Sequence, residues 1–387
     1  MNLGSLAGVD RGIKVLDLGD GIFEEVYFLY KWFSVLLKSL CGNIWMSFSC
    51  QFLNIDFMKR KGIIIQGIAL VCLYLSASVA WSQEWQTIAC EGHATKRHES
   101  GLTIHDGSLY LIGGRGVKPV EALDLKKSSW QHHDPTPLEM HHITPVSIGD
   151  RIYVVGGLTG GYPTEQPLTH VYSYDPNTDQ WKTVLEIPVE RRRGAGGVVV
   201  QGDDIYLVNG ITNGHTSGTN AMMDVYHTKT NTWEVLPDVP HIRDHSAAVI
   251  IGEQLYALGG RNTSYHEADN FMAFFTAVVT EIDVYDMNAK EWMTLDVELP
   301  IPSAGPGVVV WEEQLIYLGG ETGDLPARDE VYSFDTKSEV WKALPELNQG
   351  RHGTNAALWK GKLYIGAGSG NRGGGPELNS VEVLELE

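Results

Sequence analysis

Cysteine is nearly absent. Four occur in 387 residues: Cys41, Cys50 and Cys72 in the first eighty, and Cys90 alone after them. A disulfide scaffold is therefore excluded for residues 81–387, which must be held by a buried core of their own. Cys90 has no partner in that stretch and reads as a buried, inert thiol. Positive charge is also scarce, with 29 Lys and Arg against 48 Asp and Glu and a net charge of −19. That balance argues against non-specific binding to nucleic acid or to anionic membranes. Long apolar runs are missing except for one, Gly62–Leu75.

That run has the flanks of an export signal. Lys59-Arg60-Lys61 precedes it and Ser76-Ala77-Ser78-Val79-Ala80 follows, with Ser78 and Ala80 suiting the −3 and −1 cleavage positions. The reading is that translation starts at Met58, residues 58–80 are a signal peptide and residues 81–387 are the mature chain. Residues 1–57 are then an upstream extension of the gene model and no part of the fold. The alternative is a genuine N-terminal extension with Gly62–Ala80 as a signal anchor. On the first reading the protein is periplasmic or secreted and monomeric, with no membrane span in the mature chain. That chain keeps 42 acidic residues against 22 basic ones.

Repetition is what the sequence has in abundance. Tyr, two residues and Gly-Gly recur at Tyr110/Gly113-Gly114, Tyr153/Gly156-Gly157 and Tyr256/Gly259-Gly260. Relaxed copies stand at Tyr206/Asn209-Gly210, Ile316/Gly319-Gly320 and Tyr364/Ala367-Gly368. An Asp followed six residues later by Trp occurs at Asp124, Asp175, Asp286 and Asp335, and His227/Trp233 fills the same slot. Successive Trp spacings from Trp85 are 45, 51, 52, 59 and 49. Two motifs in phase at about fifty residues carry a resemblance to the kelch-repeat β-propellers.

The resemblance implies an all-β, six-bladed propeller over residues 81–387. Glu84–Ile88 resembles the strand that follows each Asp turn, whereas the chain ends on Ser380–Leu386, the strand that would precede such a Trp. Pairing the two completes the last blade with an N-terminal strand and removes both exposed edges. The five repeat tryptophans, Trp130, Trp181, Trp233, Trp292 and Trp341, are expected largely buried between blades.

Candidate chemistry is sparse. His132-His133 and His141-His142 invite a metal reading, but neighbours in a strand face opposite ways, so they read as solvated histidines and no metal is expected. Gly370–Gly375 follows no strand-to-helix pattern and is no phosphate loop. Copper-radical galactose oxidase is also a kelch propeller, but Cys90 and the blade count do not match its requirements; no cofactor is expected. Arginine is better placed. Arg97, Arg193, Arg243 and Arg351 stand at the start of the innermost strand in four blades, and Arg115 and Arg261 directly follow a Gly-Gly. In kelch propellers these positions and the loops after Gly-Gly meet at one channel mouth, which would also collect Arg328 and Arg372. Such forks pair with carboxylates, implying an acidic small molecule or an acidic protein or peptide partner. The strand-start arginines have a second reading, as braces of backbone carbonyls. The apolar Phe271–Val279 run in the longest loop would cap the mouth, add a strand or bind a partner.

One enzyme family is similar in compartment and blade number, the periplasmic N-acetylneuraminate epimerases. That likeness implies Glu321 as proton shuttle and Arg328 as clamp of a sugar carboxylate, making the chain an isomerase at the anomeric centre of an acidic sugar. The spacing of seven from Glu321 to Arg328 is one longer than in that family. A non-enzymatic binding module is the reading preferred, with the mutarotase as alternative.

Overall fold

The computed structural model describes residues 84–386. The signal peptide expected at 58–80, the upstream segment 1–57 and the cleavage point expected before Trp81 lie outside the described residues. Each repeat forms one antiparallel four-stranded sheet. In the first blade the order is Ser100–His105, Ser108–Gly113, Pro119–Asp124 and Ser129–Pro135, and five further sheets repeat this meander. The Tyr-x-x-Gly-Gly motif is the second strand of a blade. The Asp of Asp…Trp closes the hairpin between the third and fourth strands. Asp124 Oδ1 accepts from the backbone amides of Lys126 and Lys127, and Asp286 Oδ1 from those of Asn288 and Ala289.

The paired glycines join one blade to the next. Gly113 and Gly114 have φ of +72° and +109°, a region open to glycine, and a Cβ on Gly113 would lie 2.3 Å from the Met140 carbonyl oxygen. The backbone comes that close because the second glycine of each pair donates its amide hydrogen across the blade boundary. Gly114 donates to Met140 (2.8 Å), Gly157 to Arg193 (3.0 Å), Gly210 to Arg243 (3.0 Å), Gly260 to Ser303 (2.8 Å) and Gly320 to Arg351 (2.9 Å). Gly368 donates to Arg97 at 2.9 Å, and this sixth bond returns from the last blade to the first. The ring is thus closed by the same contact that builds it.

Closure at the outer edge is by the expected strand. Gln86 and Thr87 pair antiparallel with Val383 and Glu382, so the sixth blade takes its outer strand from the start of the fold. Trp85 beside it is buried, and its indole N–H donates to the Pro345 carbonyl at 2.8 Å. The other five tryptophans are only half-buried, which corrects the expectation for them. They sit on outermost strands, where one ring face packs on a neighbour, such as Tyr174 on Trp181, and the other meets solvent. The core lies between blades, in clusters such as Tyr110, Ile112, Met140, Ile152 and Tyr174. The innermost strands, among them Val146–Ile148 and Ala247–Ile251, surround a central channel of about 400 Å³.

Candidate binding site at the channel mouth

Four of the sequence's arginines are braces and not ligand contacts. Arg97, Arg193, Arg243 and Arg351 are fully buried. Each guanidinium pairs with a buried carboxylate of its own blade: Glu121 at 2.5 Å, Asp224 at 2.7 Å, Asp283 at 2.5 Å, and Glu382. Other N–H groups go to carbonyls, for instance Arg97 Nη1 to Gly113 (2.9 Å) and Pro119 (3.0 Å). The expectation that these four bind ligand is corrected on that ground: no part of them reaches the mouth. A buried ion pair is tolerated when most of its hydrogen bonds are made, and here Arg243 Nε alone of the brace nitrogens is buried without a partner.

Two residues beyond each brace position, the chain turns into the channel in a left-handed conformation. Glu99 (φ +55°), His142 (+53°), Ala195 (+55°), His245 (+51°), Gly305 (+63°) and Gly353 (+63°) hold this place in blades one to six. Backbone bonds link them, from His142 N to Glu99 O at 2.8 Å, Ala195 N to His142 O at 3.1 Å and Gly305 N to His245 O at 2.7 Å. Three of the six carry small or no side chains. The space they leave is filled by Glu99, His142 and His245.

A second tier comes from the residues directly after the glycine pairs. Antiparallel bridges tie Asp244 to Arg261, Ala304 to Glu321 and His352 to Ser369. Arg115, Arg261 and Glu321 are therefore brought to the mouth, where they arrive paired. Arg115 binds Glu99 (2.5 Å) and Glu165 (2.6 Å). Arg261 Nη1 binds Glu321, a contact between adjacent blades, and its Nε donates to Thr263 Oγ1 at 2.9 Å. Glu321 also accepts from the Gly373 amide at 2.7 Å and lies 3.3 Å from His352 Nε2. Burial alone would raise the Glu321 pKa, but His352 and Arg261 hold it at about 2. Asp244 is likewise held at about 2 against its burial, by His245 and Arg261. Glu165 is lowered, despite burial, by His215 and Arg115.

Arg328 does not join Glu321. Its guanidinium pairs with Asp324 (3.1 Å) and Glu330 (3.6 Å), and it is Arg261 from the preceding blade that faces Glu321. Arg372 is exposed; its guanidinium carbon lies 5.2 Å from the Phe275 ring centre, and the side chain donates to the Gly323 carbonyl.

The histidine pairs divide. His132 and His133 lie on an outer strand and face opposite ways, His132 to Glu121 at 2.9 Å and His133 to the rings of Tyr110 and Tyr174. His141 and His142 are buried, which corrects the reading of them as solvated. The argument from strand alternation fails there because His142 is left-handed, so both rings turn inward, with Nδ1 atoms 2.6 Å apart. His142, His215 and His245 then meet ring to ring, with centroids 4.8 to 5.3 Å apart. His215 comes from the long hairpin between Asp204–Asn213 and Ser217–His227, and the second blade carries a shorter extension at this place, Leu158–Thr159 paired with Gln166–Pro167. Burial pushes the imidazoles of His141, His142 and His245 below their ordinary range.

The apolar loop caps this assembly. Phe271–Thr276 is a short 3₁₀ helix, capped by the Asn270 side chain accepting from the Met272 amide. Phe274 is fully buried with its ring 5.9 Å from that of His215, and the Arg261 guanidinium carbon lies 4.9 Å from the centres of both Phe274 and Phe275. Its outer side stays open: Phe271 is 41% exposed, Met272 44% and the adjoining Tyr162 49%.

Repeat, inter-blade bonding and terminal closure together define a kelch-repeat β-propeller, an architecture consistent with a binding or interaction module. Residues 77–260, just under half of the chain, match the KLHDC2/KLHL20/DRC7 Kelch-repeats domain. The chain is 25% identical over 306 residues to Kelch-like protein terF of Aspergillus terreus, covering 74% of this chain and 64% of that protein. Kelch-like protein 40 of Xenopus tropicalis is 30% identical over 199 residues, 49% of this chain and 30% of that protein. The chain thus spans less than two thirds of the length of these relatives. A solved structure titled "Structure of YjhT" has the same fold, with a TM-score of 0.62 and 17% identity, covering 76% of this chain and 96% of that one. Among the described residues no helix is long and apolar enough to cross a membrane.

Proposed function

We propose that the protein is an exported binding module that takes an acidic ligand, a sugar acid or an acidic peptide, on the capped face of its channel. The observation that carries this is the outer surface of the cap. Tyr162, Phe271 and Met272 leave an apolar patch open to solvent, with the Tyr162 hydroxyl 3.2 Å from Met272 Sδ. Arg372 packs on Phe275 beneath the same helix and is exposed. An aromatic and apolar platform beside a guanidinium suits a ligand with one hydrophobic face and one carboxylate. Arg115 and Arg261 support that anchor from below, with their own carboxylates already matched.

A proton-shuttling role for Glu321 has less support. A carboxylate held at about 2 is a poor base at neutral pH, and Arg328 stands with other partners. Binding without turnover is therefore the reading preferred over mutarotation. The test is a thermal-shift screen of acidic sugars and acidic peptides against their neutral counterparts. Acidic compounds should raise the melting temperature of the parent and lose that effect in Arg372→Glu. Equal response to neutral compounds, or no change in the variant, would remove the reading.

A further inference from the structure

We infer that His142, His215 and His245 form a binding site for a divalent transition-metal ion beneath the Phe271–Thr276 cap. One imidazole nitrogen from each lies within 4.8 Å of the others, and all three rings are buried. The Nδ1 atom of each is already committed. His215 Nδ1 pairs with Glu165 at 3.0 Å, His245 Nδ1 with Asp244 at 2.5 Å, and His142 Nδ1 with His141 at 2.6 Å. That leaves Nε2 as the donor on each ring, where His245 Nε2 faces Arg261 Nη2 at 3.3 Å and His142 Nε2 lies beside Glu99. Carboxylates on the far nitrogen of a ligating histidine fix its tautomer and orientation and strengthen it as a donor, and two of the three rings have one.

The nitrogen of His142 lacks a satisfied hydrogen bond. His142 Nε2 is buried and lies 3.0 Å from Glu99 Oε1, but out of hydrogen-bonding alignment. Charge points the same way. Glu99, Glu165, Asp244 and Glu321 surround the three rings, against Arg115 and Arg261 as the guanidiniums in contact with them. Four carboxylates against two guanidiniums leave an excess of two negative charges around the imidazoles, which a divalent cation offsets.

Three neutral nitrogen donors and one open position suit zinc and its first-row neighbours better than magnesium or calcium, which require oxygen. Nitrogens about 2.0–2.1 Å from a tetrahedral ion lie roughly 3.4 Å apart, so binding draws the rings together. Arg261 Nη2 is 3.3 Å from His245 Nε2 and must swing aside, toward the Glu321 carboxylate its Nη1 already holds. This inference does not depend on the acidic-ligand reading, whose contacts lie on the outer side of the cap.

The experiment is titration of the purified, chelator-treated chain with Co²⁺, followed by displacement with Zn²⁺. One ion should bind per chain, with the intense visible absorption of four-coordinate cobalt, and Zn²⁺ should bleach it. His215→Ala should weaken Co²⁺ binding by roughly 100-fold, the upper end of what loss of even an outer-shell partner costs. His215 lies on a hairpin extension and not in the blade core, so this variant should keep its circular dichroism and cooperative melt. His132→Ala, on an outer strand, should bind as the parent does. Should His215→Ala not fold, His142→Gln and His245→Gln serve as the test, with the same weakening expected. Failure to bind one ion per chain, or a folded histidine variant with parental affinity, would overturn the site.

Discussion

Arginine a few residues before an inner strand means one thing in this chain, and the sequence carries its signature. The four blades that start with Arg97, Arg193, Arg243 and Arg351 also have Glu121, Asp224, Asp283 and Glu382, each three residues before the last residue of its strand. The blades that start with Met140 and Ser303 have Tyr172 and Tyr332 there. Arginine and acid therefore come and go together, which identifies a buried pair. Arg243→Met should strand Asp283 in the interior and cost about 3–5 kcal/mol, as loss of one partner of a buried pair does. Chemical denaturation of the variant measures this. A loss below about 1 kcal/mol would mean the pair is hydrated. The mouth histidines had no such signature. Glu99, His142 and His245 align only when blades are superposed on the brace position, and their inward turn follows from a left-handed backbone that strand periodicity does not reveal. His215 lies in a loop whose length differs from blade to blade, so no repeat could point to it.

At the level of strands, the repeat was legible because its chemistry is local: a glycine pair for close approach, an aspartate that binds its own turn, a tryptophan on the outer strand. Closure was legible because one strand was missing at one terminus and spare at the other. What the pattern overstated was the burial of the tryptophans, since an outermost strand has a neighbour on one side only. Trp85 is the exception, being buried beside the strand pairing that closes the ring. Trp85→Ala should accordingly cost about 3–5 kcal/mol, the range for large aromatic truncations in a core. Trp181→Ala should cost clearly less, because part of that ring is already in water. Equal losses in a urea titration of the two variants would contradict the distinction. The cap could be anticipated as an apolar loop but not as a 3₁₀ helix, because its order comes from Phe274 and Phe275 packing on Arg261, sixty residues of chain away from that arginine's ion-pair partner Glu321.

The whole molecule is stabilised by interfaces that bury phenols between blades. Burial is the main cause that raises Tyr206, Tyr226 and Tyr317, each to about 12. An unfolded tyrosine ionises near 10, so above that pH the unfolded chain loses protons that the folded chain retains. Stability should therefore be unaffected by these groups below about pH 10 and fall steadily as pH rises toward 12. Thermal melts across that interval check the sign, and Tyr317→Phe should flatten the slope.

The central claim is that the capped face of the channel, and not the opposite end or the outer rim, is where this propeller binds. Hydrogen–deuterium exchange, with and without a saturating acidic ligand from the thermal-shift screen, tests it most directly. Protection should appear in residues 158–165, 262–279 and 321–326 and around Arg372. The Asp turns of the outer hairpins, such as 124–129 and 286–291, should exchange unchanged. Protection centred on those turns, or spread over the outermost strands with the cap unaltered, would contradict the account.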